Sequence, residues 1–169
     1  MPLPSTMIPI ATNTLTANAA SLSFTNIPQT YTDLVLIYYF GDTSAAVAAY
    51  IEYNGDAYTN NKYLGNRLYG NGSSASAAYR SNDPFYLTDG TPTSTTLGVN
   101  QGIVNIMNYS NTTTFKTSLV RDNNANAGTE AIASLWQRTD AINRVDIKNT
   151  STGNFLSGST FTIYGIKAA

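Results

Sequence analysis

Apolar and polar residues alternate with a period of two along most of this chain, and no other feature of the sequence constrains its fold as strongly. In residues 144–148, Val145 and Ile147 alternate with three charged residues, and Leu22 and Phe24 alternate with serine and threonine. Successive side chains of a strand point to opposite faces, so this period indicates strands that turn one face toward a core. The sequence therefore predicts many strands and almost no helix.

Residues 34–40 (LVLIYYF) depart from the alternation because they are apolar at every position. A strand of this kind cannot leave either face fully in water. It is either a central strand that is covered on both faces, or a strand whose outer face meets another chain.

The same reasoning predicts strands at five more places, which are residues 46–53, 103–109, 115–121, 131–137 and 160–164. Turn-forming pairs such as Asn54-Gly55 and Asn71-Gly72 separate the predicted strands. Roughly eight to nine antiparallel strands of this length form an all-β sandwich of the jelly-roll type, with two facing four-stranded sheets.

Two regions are not predicted as strands. Residues 1–10 carry prolines at positions 2, 4 and 9, and proline cannot donate to a strand ladder. They are predicted to be an extended N-terminal arm that becomes ordered against a neighbouring subunit, while residues 11–169 form a single β-sandwich domain. Within that domain, residues 58–96 are rich in Gly, Asn, Ser and Tyr and are predicted to be a long loop excursion, which in a compact domain is usually functional.

The composition excludes several classes of chemistry. The chain has no cysteine and no histidine, so it has no disulfide, no Cys/His zinc site and none of the usual general bases. Charged residues make up 11% of the chain and the formal net charge is −1, which provides no electrostatic attraction to nucleic acid or to anionic lipid. We therefore expect no cofactor, no nucleic-acid partner and no membrane partner. The first residues lack a secretory pattern, so we expect a protein made in the cytoplasm.

The ten acidic residues are scattered, which disfavours the carboxylate pair of a glycosidase. Asp56 and Asp122 fall in predicted turns, and Asp146 falls on a predicted solvated strand face. Residues 54–56 and 122–124 are the nearest approach to a calcium loop, but a turn held by side-chain hydrogen bonds explains them more simply. We predict no catalytic, cofactor-binding or metal-binding residue, and hence no enzyme.

Tyrosine is in surplus, with 12 residues against 6 Phe and 1 Trp. A tyrosine ring buries a large area while its hydroxyl remains hydrogen-bonded, which suits protein interfaces and sugar-binding platforms alike. Trp136, in a predicted strand, is expected in the core. A partner-binding surface is predicted in the excursion, formed by Tyr63, Arg67, Tyr69, Tyr79 and Arg80. The alternative is that these rings fold back over the sandwich.

Three blocks of sequence carry a resemblance to a known group. Residues 27–36 (IPQTYTDLVL), 53–56 (YNGD) and 157–166 (SGSTFTIYGI) resemble, in order and rough spacing, a group of tailed-phage virion proteins, and the resemblance covers about residues 11–167. It implies a jelly-roll sandwich that serves as a capsid decoration (cement) protein or as a tail-associated protein. The blocks contain strands and turns, so the resemblance assigns no catalytic residue.

Together these features predict a non-enzymatic virion protein that binds major capsid protein subunits and stabilises the shell. The neutral surface and the apolar run at 34–40 predict self-association, as a homotrimer. The alternative is a tail-fibre or receptor-binding domain that recognises a host glycan through the tyrosine-rich excursion. A free-standing carbohydrate-active enzyme is disfavoured by the missing histidine.

Overall fold

The computed structural model describes residues 6–45, 48–81, 84–88, 93–150 and 153–167. Over these residues the chain forms twelve strands and one short 3₁₀ helix, Tyr58–Asn60. None of the described segments is a helix long and apolar enough to cross a membrane. The strands are β1 (Met7–Thr14), β2 (Ser21–Phe24), β3 (Asp33–Phe40), β4 (Ala49–Tyr53), β5 (Tyr63–Gly70), β6 (Ala75–Ser81), β7 (Phe85–Tyr86), β8 (Asn100–Met107), β9 (Lys116–Asn124), β10 (Gly128–Trp136), β11 (Val145–Asn149) and β12 (Thr160–Ile166).

The strands form two antiparallel sheets. The large sheet has eight strands in the order β1-β12-β3-β8-β9-β10-β5-β6, and the small sheet has four in the order β2-β11-β4-β7. The predicted all-β sandwich is confirmed. All eight predicted strand segments, seven from the alternation and one from the apolar run at 34–40, overlap observed strands, although residues 46 and 47 lie outside the described part of the chain.

The jelly-roll order becomes visible when the hairpins β5–β6 and β9–β10 are set aside. The remaining strands are ordered β1-β12-β3-β8 in one sheet and β2-β11-β4-β7 in the other. Among these eight, every step along the chain crosses from one sheet to the other except β4 to β7, as in a jelly roll. The two hairpins continue the large sheet beyond β8, which explains why it has twice as many strands as the small one.

The core lies between the inner faces of the two sheets, which are the faces turned toward each other. On β3, Leu34, Leu36 and Phe40 are fully buried, whereas Ile37 and Tyr39 on the outer face are 39% and 43% exposed. Full burial of one such side chain contributes about 1.5–3 kcal/mol to stability. Thus the run at 34–40 is a central strand, between β12 and β8, and its outer face still remains partly open.

The predicted N-terminal arm is corrected in its second half. Met7 begins β1, which pairs with β12 from Met7 opposite Ile166 to Thr14 opposite Thr160. Pro9 is accommodated because β1 is an edge strand and its register shifts between Pro9 and Ala11, and both conditions allow proline in a strand. The first five residues lie outside the described part of the chain.

The predicted loop excursion at 58–96 is also corrected, because much of it is strand. The hairpin β5–β6 turns at residues 71–74, where the Oδ1 atom of Asn71 accepts hydrogen bonds from the backbone N–H groups of Ser73 (3.0 Å) and Ser74 (2.8 Å). Gly72 has φ +85°, a value that glycine adopts without strain. Residues 63–81 therefore join the large sheet through β5, and β7 joins the small sheet through β4. Residues 82–83 and 89–92 of the predicted excursion lie outside the described part of the chain.

Candidate functional site

The outer face of the large sheet is the face turned away from the small sheet, and it carries most of the exposed large apolar side chains. Alternate residues of each strand share a face, and residues that lie opposite each other on neighbouring strands point to the same side. The pairing register therefore shows which side chains belong to this outer face. Six of the eight large apolar side chains that are exposed in the described residues lie there, namely Met7, Ile37, Tyr39, Leu68, Tyr79 and Met107.

This outer face has very little charge. Within β8, β9, β10 and β5, Arg121 is the only charged residue at an outward position. A shallow groove on this face has an apolar lining that includes Leu64, Tyr79, Met107, Leu119 and Leu135. Contiguous apolar surface of this kind on a soluble protein marks a binding surface more often than a solvated one.

The outer face of the small sheet has the opposite character. Lys148 Nζ lies 2.5 Å from Glu52 Oε2, and Arg144 Nε lies 2.8 Å from Asp146 Oδ1. The predicted solvated position of Asp146 is wrong, because this residue is 1% exposed and also accepts a hydrogen bond from Ser23 Oγ. Glu52 and Asp146 lie on neighbouring strands, and each forms an ion pair with its own cation. We therefore assign both carboxylates a structural role.

Polar side chains also lie on the inner face of the large sheet, beyond the edge of the jelly roll. Asp122 was expected in a turn, but it lies on β9, is 3% exposed and accepts a hydrogen bond from Tyr38 Oη at 2.8 Å. Burial and the neighbouring Asp122 raise the pKa of Tyr38 well above its usual value. Gly102 makes room for this ring, because a Cβ at that position would lie 2.3 Å from Tyr38 Oη.

Of the predicted partner-binding tyrosines, Tyr63 is the one that the structure places in the core. It is 1% exposed, stacks on Trp136 and donates a hydrogen bond from its hydroxyl to the carbonyl of Asp56 at 2.9 Å. Burial raises its pKa. Tyr63 cannot contact a partner while the sandwich is intact. The predicted binding role is therefore wrong for this residue, and the alternative, in which the ring packs on the sandwich, holds. Trp136 is 2% exposed, as expected for a core residue.

The other predicted binding residues are divided between two faces. Tyr69 and Arg67 are half-buried on the inner side of β5, whereas Tyr79 on β6 is 68% exposed on the outer face. Arg80 lies in β6 opposite Gly65, and its side chain is outside the described part of the structure. The structure therefore does not bring the five residues together as one surface, and Tyr79 is the member that belongs to the outer face.

The turn at 54–56, which was considered as a calcium loop, is closed by protein donors. Asp56 accepts hydrogen bonds from Trp136 Nε1 (2.9 Å), Arg138 Nε (3.1 Å) and Asn60 Nδ2 (2.7 Å). Burial alone would raise the pKa of Asp56, but these hydrogen bonds outweigh it and lower the pKa. In the described residues no group of three or more acidic side chains could hold a metal ion. Residues 122–124 lie in β9 rather than in a turn.

The outer-face residues outside the tyrosines were missed at the sequence level. Leu68, Met107 and Leu119 lie on three different strands, and the outward positions two residues away on each strand are polar or glycine, so no run of sequence marks them. They become a surface only through the register of four adjacent strands, β8, β9, β10 and β5. The sequence did contain one signal for this surface. Residues 34–40 and 103–107 carry apolar residues at positions that point outward from β3 and β8, and these two strands are neighbours in the large sheet.

Comparisons of this chain with protein-family models, with curated proteins and with solved structures found no match.

Proposed function

We propose that this protein is a non-enzymatic virion structural protein that binds major capsid protein subunits as a decoration (cement) protein, with the outer face of the large sheet as its docking surface. The jelly-roll order of eight strands supports this role, since it is common among capsid proteins. The sequence blocks at 27–36, 53–56 and 157–166 support the phage setting through their resemblance to tailed-phage virion proteins.

The observation that carries the proposal is the concentration of exposed apolar side chains on one neutral face. Eight strands about 4.8 Å apart and about seven residues long at 3.4 Å each offer an area of about 900 Å². A stable protein interface buries about 800 Å² on each partner. The outer face is thus large enough to serve as a complete docking surface.

Decoration would stabilise a shell through binding linkage. A protein that binds the assembled shell and not its separated subunits stabilises the assembly by about 2.7 kcal/mol per site when its concentration is 100 times its Kd. This mechanism needs no acid, base or cofactor. It needs a rigid apolar surface, and strands that pair on both sides within the sheet provide one.

The test is to add the purified protein to undecorated shells and to measure both co-sedimentation and the melting temperature of the shells. We expect binding and a higher melting temperature. Met107→Glu places a charge on the outer face and should weaken binding at least tenfold, about 1.4 kcal/mol. The control is Ser21→Glu, which places the same charge at an exposed position on the outer face of the small sheet.

Shells that neither bind the wild-type protein nor melt at a higher temperature would contradict the decoration role. If both glutamate variants weakened binding equally, the docking surface would not be the outer face. Circular dichroism melting of each variant alone shows whether the substitution has affected the fold.

A further inference from the structure

The two edges of the large sheet differ in whether they can accept another strand. At one edge, β1 carries Pro9 and a register shift, both of which hinder pairing with a further chain. At the other edge, β6 has neither feature. Ala75, Ser76, Ala77 and Tyr79 are exposed on it, and β5 is its only partner strand within the described residues. Thus β6 is an open edge.

The backbone of β6 is arranged to pair with a strand. The N–H of Asn71 donates to the carbonyl of Ser74 at 3.1 Å, which makes this pair the hydrogen-bonded one that closes the hairpin. Hydrogen-bonded pairs alternate along an antiparallel ladder. The register then leaves the N–H and C=O groups of every second residue pointing away from β5, and these residues are Ala75, Ala77, Tyr79 and Ser81.

The side chains of the same edge form a protrusion beside a depression. Tyr79 and Leu68 are the most exposed large apolar side chains in the described part of the chain, at 68% and 65%. Beside Tyr79, Ala77 lies opposite Leu68, which lies opposite Ala131 on β10. These small residues and Leu68 line a shallow depression on the outer face. It offers space and apolar surface for a ring that arrives from beyond the edge.

We propose that two copies of this chain pair through β6, antiparallel and around a two-fold axis at Ala78. In this register Ala78 lies opposite the partner's Ala78, and Ala77 lies opposite the partner's Tyr79. Both residues of the second pair are among those whose backbone groups point outward, so the two edges can hydrogen-bond. The same operation brings each Tyr79 ring against the other copy's Ala77 and Leu68.

A second copy fits this edge because the protrusion and the depression lie on the same strand, at equal distances on either side of Ala78. A two-fold axis therefore fills both depressions at once, which is the condition for an isologous contact. Such a contact is complete at two copies, in contrast to the homotrimer expected from the sequence. It joins the two large sheets into one and does not depend on the proposed decoration role.

The register is tested by cysteine substitution, since the chain has no cysteine of its own. Two Ala78 residues would form a non-hydrogen-bonded pair with Cα atoms about 4.5 Å apart, within the range for a disulfide. Ala78→Cys should therefore form a covalent dimer on mild oxidation. Ser76→Cys is the matched control on the same strand, because Ser76 would lie about 14 Å from its own copy.

Cross-linking of Ala78→Cys at least tenfold faster than of Ser76→Cys supports the pairing. Equal rates, no cross-linking of either variant, or faster cross-linking of Ser76→Cys would overturn it. Circular dichroism establishes that both variants fold. No shells are present in this experiment, so its outcome is separate from that of the decoration test.

Sedimentation velocity of the cysteine-free protein gives a second measurement. The wild-type chain should sediment as a dimer at tens of micromolar. Ala77→Pro removes an outward N–H that β5 does not use and should weaken the dimer at least tenfold while the chain remains folded. A wild-type protein that is monomeric throughout, or a proline variant that dimerises as well as wild type, would overturn the proposal.

Discussion

At the scale of single residues, four of the twelve tyrosines are hydrogen-bonded residues of the core. Tyr53 and Tyr109, like Tyr38 and Tyr63, are almost fully buried. The hydroxyl of Tyr53 lies 2.9 Å from Ser118 Oγ, and that of Tyr109 donates to the carbonyl of Pro28. A buried hydroxyl without a partner costs about 1–3 kcal/mol, so a partner is what allows a tyrosine to fill a core position.

Asp56 supplies a prediction at this scale. Its pKa is lowered in the folded protein, so its contribution to stability is present above its unfolded pKa of about 3.9 and is lost as the pH falls through the folded value. We expect Asp56→Asn to lose about 1–3 kcal/mol at pH 7, because an amide cannot accept from Trp136, Arg138 and Asn60 as a carboxylate does.

The measurement is thermal unfolding of both proteins between pH 7 and pH 2. The melting temperatures of wild type and Asp56→Asn should begin to converge below about pH 4, the unfolded pKa, and should meet once the pH is below the lowered pKa of the folded carboxylate. A difference that stays constant down to pH 2 would contradict the assignment of this carboxylate as the stabilising charge.

The sequence predicts the presence of interface-prone residues but not which face each one takes. Tyr63 and Tyr79 belong to the same tyrosine-rich stretch, yet one is 1% and the other 68% exposed. The difference arises because Tyr63 pairs with Trp136 across β5 and β10, whereas Tyr79 occupies an outward position on the last strand of the sheet. Cross-strand neighbours decide the burial, and a single strand does not reveal them.

At the scale of elements, β1 shows how an edge strand tolerates a residue that a central strand does not. Its register with β12 is interrupted where Pro9 is followed by Ile10, whose side chain packs against the core. Beyond the interruption, Thr12 and Thr14 each form a side-chain hydrogen bond with the threonine opposite, at 3.0 and 2.9 Å. The strand is thus anchored on both sides of the proline.

A prediction for β1 follows from this anchoring. A chain that begins at Ala11 should be less stable than a chain that begins at Thr6, by about 1–3 kcal/mol, because it loses the pairing of Met7 and Ile8 and the packing of Ile10. Urea unfolding of the two purified chains measures the difference. Equal midpoints with equal slopes would restore the sequence-based prediction that this segment is an arm outside the core.

Strand prediction succeeded where hydrophobic alternation is strong and failed where it is weak. The segments that became β3, β11 and β12 place large aliphatic or aromatic residues at every second position. By contrast, β6 is made mostly of alanine and serine, which have little preference for strands. It is a strand because β5 lies beside it and the turn at Asn71 fixes the register, and neither cause is visible in its own composition.

At the scale of the whole molecule, the hairpins β5–β6 and β9–β10 extend one sheet well beyond the other. The strands β12 and β3 are the two middle strands of the jelly-roll sheet β1-β12-β3-β8, with core residues that are fully buried. Toward β6, burial decreases and the outer positions are open. Resistance to local opening depends on buried contacts and on backbone hydrogen bonds, so it should decrease along the sheet in this direction.

Hydrogen exchange tests this gradient. In dilute protein we expect the hydrogen-bonded amides of β3 and β12 to exchange most slowly and those of β6 at least a hundredfold faster, a difference of about 2.8 kcal/mol in opening free energy. Uniform protection across the large sheet would contradict the gradient and would mean that the added hairpins open only when the whole domain unfolds.

The unequal edges of the large sheet also limit how far the protein can assemble. A sheet with two receptive edges can add neighbours at both ends and lengthen without limit, which is the geometry of fibril growth. Here Pro9 and the irregular register beside it terminate one end. Under the proposed pairing, a copy that has used β6 has no second receptive edge in its large sheet within the described residues, so growth of that sheet stops at two copies.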